Sequence, residues 1–399
     1  MTESINVVLI GGGYSGVMAA NRLTQRADVA VTLVNPRPEF VERVRLHQLV
    51  GRTHDAVRDF REVLAESVRL VIDTVTRIDA AECALELASG GTISYDYLVY
   101  AVGSDKAAAR VPGAAEFART MASLEDAREL RAVVDSLPAA APITVVGGGP
   151  LGIEMAAELG ERGRAVTLVC GGQLGPYLHP SGRRSVAKAL ARLGVRVLDG
   201  PGAKVVEVTA EAVRLADGRE LASAVTIWAA GFAASDLAAR SGLSVDVVGR
   251  LLADETLTSV DDERIVATGD AASPSGMPLR MSCQAALPLG SHAADTVLSR
   301  IAGESPAEFT RGIAAMCVSL GRSAGVFQLA RFDDTAIRLH VPGRPGAVLK
   351  EAACASPIDQ LAKEAHKPGS HSWIVKDSRR VERVAAQRAA GLVVSGRAG

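Results

Sequence analysis

Apolar and polar positions along this chain fall into two blocks with the same order. Val7-Val8-Leu9-Ile10 is a short, continuous apolar run ending at glycine, the pattern of a strand buried on both faces. Roughly from Ser15 to Gln25, Val17, Ala20 and Leu23 recur at helical spacing, and Val31-Thr32-Leu33-Val34 reads as a returning strand. The second block repeats the order. Thr144-Val145-Val146 leads into glycines, and a helix is predicted over about Leu151 to Glu161 with Ile153, Ala156, Ala157 and Leu159 on its apolar side. Val166-Thr167-Leu168-Val169 then closes the unit. The two closing tetrapeptides are identical, each about 20 residues beyond its glycines, the length that a loop, a helix and a return strand require.

Two further apolar runs end in glycine: Tyr97-Leu98-Val99-Tyr100-Ala101-Val102-Gly103 and Val225-Thr226-Ile227-Trp228-Ala229-Ala230-Gly231. A hairpin signal precedes each, Ser89-Gly90-Gly91 in the first case and Asp217-Gly218 in the second. The Ala/Pro stretch from Pro138 to Pro142 reads as a linker before the second unit. Another strand is predicted at Ile265-Val266-Ala267, followed by Thr268-Gly269-Asp270 and a helix over about Gln284 to Ala302. Ile313 to Ala330 is apolar, but it contains Gly321, Arg322, Gly325 and Gln328. It reads as two strands around the turn Gly321-Arg322-Ser323 rather than a membrane span.

The glycines carry the chemistry. Gly11-Gly12-Gly13-Tyr14-Ser15-Gly16 and Gly147-Gly148-Gly149-Pro150-Leu151-Gly152 both match G-x-G-x-x-G between a strand and a helix. The first glycine permits the tight turn, the second lets a pyrophosphate reach the backbone, and the third lets helix pack on strand. The helix N-terminus offers amide donors and positive partial charge. One such loop is a weak signal; two in matching context imply two dinucleotides on one chain and electrons passing between them. The second strand of each unit lacks the expected acidic end. Asn35 stands at the first, where its amide can still bond ribose hydroxyls. Cys170-Gly171-Gly172 stands at the second, with Arg183 and Arg184 further on. NADH and NADPH therefore both stay open, and the reading leans to NADH.

Composition narrows the class. The 399 residues suffice for two or three domains and, at 48% hydrophobic, for a large core. A net charge of −1 does not indicate a nucleic-acid partner. Lys376, Arg379, Arg380, Arg383, Arg388 and Arg397 form a basic tail, read as a solvated helix face in preference to a membrane contact. Met1 to Asn6 runs straight into the first strand, so no signal peptide is expected. The five cysteines, Cys83, Cys170, Cys283, Cys317 and Cys354, include no close pair, so neither a redox dithiol nor a zinc knuckle is visible. The expected setting is the reduced cytoplasm, with at most weak peripheral contact with a membrane.

The order of these motifs resembles the two-dinucleotide flavoprotein reductases, the pyridine nucleotide–disulfide oxidoreductase superfamily. The resemblance spans about residues 5 to 300. It implies an α/β fold of two Rossmann-like, glutathione-reductase-like domains plus a C-terminal α+β segment. FAD would occupy a discontinuous domain, 1–112 and 233–303; NADH or NADPH would occupy 113–232; and 304–399 would cap the acceptor site or form an interface. It also implies that Asp270 bonds the ribityl chain and that the following helix points at the flavin. The residues expected to bind cofactor are Gly11, Gly13, Ser15, Gly16, Asn35, Arg43, Ala101, Gly103, Gly147, Gly149, Leu151, Gly152, Glu154, Cys170, Ala230, Gly231, Gly269, Asp270 and Gln284.

Missing residues locate the subfamily. Phe40 to Gln48, the first helical region after the FAD strand, has no cysteine, so no protein thiol relay is expected. The chain is most similar to type II NADH dehydrogenases and apoptosis-inducing-factor-like oxidoreductases. Glu154, in a G-x-E-x-A-x-E-like run, would lie near the nicotinamide and flavin, and a plain helix carboxylate is equally compatible with it. Met281-Ser282-Cys283-Gln284-Ala285-Ala286-Leu287-Pro288 resembles the quinone motif A-Q-x-A-x-Q only at Gln284; Pro288 replaces the second glutamine. Glu154, Gln284 and His47 are the catalytic candidates, and Gln48 shares the approach of His47. The expected acceptor is a quinone-like small molecule, and a homodimer is compatible with the sequence. Three alternatives stay open. A ferredoxin- or rubredoxin-reductase-like electron transferase would dock through Arg43 and Arg45. The others are an NADH-sensing flavoprotein and a tailoring flavoenzyme for a natural product. In the C-terminal segment Val381, Val384, Leu392 and Val393 make a thin apolar stripe.

Overall fold

The structure is a computed structural model and describes residues 4–107 and 110–389. Leu392, Val393 and Arg397 lie outside the described residues, as does the side chain of Arg388. Two five-stranded parallel sheets carry the two repeated blocks. In the first the order is Ile265–Ala267, Tyr97–Tyr100, Ile5–Ile10, Val29–Asn35, Arg69–Ile72. In the second it is Ala118–Arg119, Val225–Trp228, Pro142–Val146, Ala165–Val169, Arg196–Leu198. The identical tetrapeptides occupy the same place in both, with Ile10 opposite Val34 and Val146 opposite Val169. Each sheet also carries a three-stranded antiparallel appendage that turns at Gly90 in one case and at Gly218 in the other. Strands covered on both faces can be apolar throughout, which is why the alternation of a half-exposed sheet is missing from them.

Two short antiparallel strands, Ser104–Lys106 and Phe232–Ala234, lie side by side where the chain passes between the units. The predicted helices form at Tyr14–Leu23, Pro150–Glu161 and Cys283–Ile301. The Phe40 to Gln48 stretch differs from the expected helix. It is a short strand, Glu39–Val41, a 3-10 turn at Arg43–Arg45, and only the start of a five-residue helix, Leu46–Val50. Phe40 enters the core between Tyr14 and Phe60, with ring centroids at 5.1 and 6.1 Å, so extended backbone wins locally over the helical pattern.

The C-terminal segment is a three-stranded antiparallel sheet, Ala315–Leu320, Ala324–Ala330 and Ala336–Pro342, then a long helix, Gly343–His366. It joins the units. Met316, Val318, Leu320 and Val326 enter the core of the second, while Ile358 and Leu361 enter that of the first. A last helix, Arg380–Ala389, is held by Arg380, whose buried guanidinium makes a two-pronged pair with Glu255 at 2.7 and 3.0 Å. Val384 is buried and Val381 is half exposed, so the stripe expected there faces the protein in part.

Candidate functional site

The two glycine loops share one arrangement, position for position. Gly11 and Gly147 have φ of +102° and +133°, and a Cβ there would meet the carbonyl oxygen of Ala101 or Ala229 at 2.4 or 2.7 Å. Both positions therefore demand glycine. A Cβ on Gly16 or Gly152 would lie 1.9 Å from the carbonyl oxygen of Gly11 or Gly147, so both helices need glycine to sit this close to their turns. Gly13 and Gly149, the helix N-caps, have nothing within 4 Å of a Cβ. Open space lies where the fingerprint expects a pyrophosphate, beside unpaired helix amides. The residues present thus fit one dinucleotide on each unit.

Asn35 and Cys170 play corresponding parts. Asn35 accepts from the Gly12 N–H at 2.9 Å and donates to the Arg37 carbonyl at 2.8 Å, so it braces the loop from beneath. The Cys170 side chain lies 2.9 Å from where a Cβ on Gly148 would stand. Burial pushes its thiol up to about 12, with Asp199 adding to the shift. Leu151 is half buried in the first turn of its helix.

A second cluster gathers around Asp270, the residue expected to meet the ribityl chain. Asp270 accepts from the Ser104 hydroxyl at 2.8 Å and from the Ser282 N–H at 3.2 Å. Gly269 packs directly on Ser15, at 2.4 Å from the serine Oγ to a built Cβ. Gly103 and Gly231 turn with positive φ at the ends of their strands, and the Ala230 carbonyl accepts from the Trp228 indole at 2.8 Å. Gln284 is half buried at the start of the helix that follows Ser282. Arg43 points inward, donating to the carbonyls of Ser104 and Ala122 at 2.6 and 2.9 Å. Burial lowers its pKa, while Asp270 opposes the shift. Arg45 is buried too, paired with Glu42 and Glu351. The basic patch that an electron-transferase reading requires is absent from both arginines.

The third cluster brings two catalytic candidates, Glu154 and His47, together with Lys350 and Ser319, which the sequence did not single out. Glu154 and Lys350 form a buried ion pair, Nζ to Oε1 2.9 Å, between the Pro150–Glu161 helix and the C-terminal helix. The Ser319 N–H also donates to Glu154 at 3.0 Å, and its hydroxyl lies 3.2 Å from His47 Nε2. His47 Nδ1 stands 3.8 Å from the other Glu154 oxygen. Burial alone would raise the Glu154 carboxyl, yet Lys350 and His47 hold it below its usual range. Burial alone would lower Lys350, and Glu154 keeps it charged. His47 is pushed down to about 4, by burial first and then by Lys350 and the nearby arginines, so it is neutral at pH 7.

Lys350 also acts electrostatically on Cys283, Cys317 and Cys354, whose thiols burial raises. The Lys350 ammonium opposes that rise in all three, although they are far apart in sequence. The Tyr14 hydroxyl, His47 Nδ1 and Gln48 Nε2 are buried with no hydrogen-bond partner. Lys350 and Ser319 carry no motif, and Tyr14 fills a variable position of the first glycine loop. A lysine in a mixed helical run reads as solvated surface, and only the fold turns it inward.

A model of the pyridine nucleotide-disulphide oxidoreductase family matches residues 5–290. A type II NADH:quinone oxidoreductase of Mycobacterium tuberculosis is 30% identical over 346 aligned positions, covering 76% of this chain and 74% of that protein. Among solved structures, NDH2 of Plasmodium falciparum in complex with NADH superposes with a TM-score of 0.74 at 15% identity, over 92% of this chain and 99% of that one. The sulfide:quinone oxidoreductase of Aquifex aeolicus gives 0.75 at 18%, over 96% and 95%. At such identities the two structures speak for the fold alone. The architecture is the two-dinucleotide oxidoreductase fold, α/β throughout, with a C-terminal α+β segment.

Proposed function

Because the chain belongs to the pyridine nucleotide-disulphide oxidoreductase family, we propose that it is an FAD-dependent NAD(P)H dehydrogenase that reduces a quinone-like small molecule without a thiol relay. The observation that carries this reading is the pair of similarly built loops, each with an open glycine at its helix N-terminus. The FAD part is 1–112 with 233–303, the nucleotide part 113–232, and the capping part 304–399. The relatives named for quinone chemistry support the acceptor class.

FAD supplies the two-electron carrier between nicotinamide and acceptor. The chain's own part is binding, orientation and electrostatics. Gly13 and its helix receive one pyrophosphate and Gly149 the other. Ser104 and Ser282 fix the Asp270 carboxylate for the ribityl hydroxyls. Glu154 and Lys350 lie where the nucleotide unit, the flavin unit and the cap meet, and Lys350 holds a fixed positive charge there at neutral pH. No helix among the described residues is long and apolar enough to cross a membrane. We place the protein in the cytoplasm; a homodimer or a weak membrane contact would use the exposed Phe332, Leu339, Val348 and Ile374.

The test is the visible spectrum of the purified protein under anaerobic conditions, before and after one equivalent of NADH. A flavin band that bleaches promptly, and recovers when a short-chain quinone is added, is the expected outcome. Recovery with a ferredoxin-type carrier and not with any quinone overturns the acceptor class.

A further inference from the structure

The second unit has no acid at the end of its second strand, where Cys170 stands. The next strand out supplies one. Val169 pairs with Leu198 in the parallel ladder, and the Cys170 N–H donates to the Leu198 carbonyl at 2.8 Å. Continuing that register puts Asp199 beside Cys170, one strand over. The two strand ends are tied again by the Gly200 N–H, which donates to the Gly172 carbonyl at 2.5 Å. A Cβ on Gly171, Gly172 or Gly200 would have nothing within 4 Å, so the floor between these strand ends is open. In the dinucleotide fold the end of the second strand faces the adenosine ribose. An adenosine held by the Gly149 loop would therefore lie next to this floor.

We propose that Asp199 grips the adenosine ribose hydroxyls from the neighbouring strand and selects NADH over NADPH. This rests on the dinucleotide reading of the second loop. Asp199 is exposed and ready to accept hydrogen bonds. It is also the one charge that bears on the Cys170 thiol among the described residues. Arg183, a sequence candidate for holding a 2′-phosphate, instead donates to the Leu178 carbonyl at 3.2 Å. A 2′-phosphate brings nearly two negative charges at pH 7. Here it would meet a carboxylate, whereas a 2′-hydroxyl would meet an acceptor.

The measurement is calorimetric titration of the FAD-loaded protein with NAD+ and with NADP+, which reads binding without turnover. The native protein is expected to bind NAD+ at least tenfold more tightly, a factor worth about 1.4 kcal/mol. Asp199→Asn removes the charge and keeps an acceptor, and it is expected to narrow the ratio about tenfold with flavin content unchanged. Asp199→Arg should narrow it further or invert it. Equal affinities in the native protein, or a ratio that neither variant moves, overturns the assignment while leaving the dinucleotide reading intact. Failure of both nucleotides to bind overturns that reading and the Asp199 assignment with it.

Discussion

The Lys350 ammonium lies 2.9 Å from the Glu154 carboxylate, both nearly fully buried, and the pair joins the nucleotide unit to the C-terminal cap. A buried ion pair is a weak source of net stability, but losing one partner strands the other charge. Lys350→Met is therefore expected to cost about 3–5 kcal/mol in urea unfolding, whereas the double variant Lys350→Met with Glu154→Gln should recover most of that loss. A single variant costing under about 1 kcal/mol would show that water reaches Glu154.

His47 makes a pH prediction with a definite sign. It titrates near 6.5 when unfolded and near 4 when folded. Between those values the unfolded chain holds a proton that the native state refuses, so stability falls as pH drops through this window and levels off below it. Two and a half units correspond to about 3 kcal/mol. His292 and His371 shift in the same direction, so His47→Gln should flatten the profile without abolishing its slope. Melting temperature measured from pH 7 to pH 4 reads this directly. A profile equally steep in the variant would remove His47 from the buried set.

Two glycines of one loop should respond in opposite ways. Gly149 has φ −78° and ψ 178° with open space around it, so Gly149→Val should fold with stability changed by no more than about 0.5 kcal/mol. Its side chain would fill the pyrophosphate site, and NADH should no longer bleach the flavin although FAD stays bound. Gly147→Ala should instead lose about 1–3 kcal/mol, since φ is +133° and the Ala229 oxygen is 2.7 Å away. Loss of FAD from Gly149→Val, with reduction by NADH surviving, would mean that the two loops have been assigned in reverse.

Asp270→Ala should release flavin on gel filtration. The Ser104 hydroxyl and the Ser282 amide lose their acceptor at the same time, so the turn that receives the ribityl chain loosens. Full flavin retention, read from the ratio of visible to protein absorbance, would count against the ribityl role of Asp270.

The repeated units were legible because their signals are local. A strand, a turn that only glycine can make and a small-residue helix lie within about 20 residues of one another, and both units formed as the spacing of Gly11 and Gly147 required. Phe40 to Gln48 was misread as helical because packing of Phe40 between two rings overrides weak local preference. Arg43 and Arg45 looked like a docking surface. Charge alone does not tell a solvated guanidinium from one turned toward buried carbonyls.

By itself, then, the sequence determined the two glycine loops, the helices behind them and the order of the motifs, because these depend on backbone geometry that neighbouring residues dictate. Only the tertiary structure decided what surrounds the site. Lys350 meets Glu154 from 196 positions away, the Ser319 N–H reaches the same carboxylate, and Asp199 comes to stand beside Cys170. Such meetings depend on how separate elements pack. That packing is set by burial of apolar faces such as those of Met316, Val318, Ile358 and Leu361, and no local pattern records which polar side chains those faces carry together.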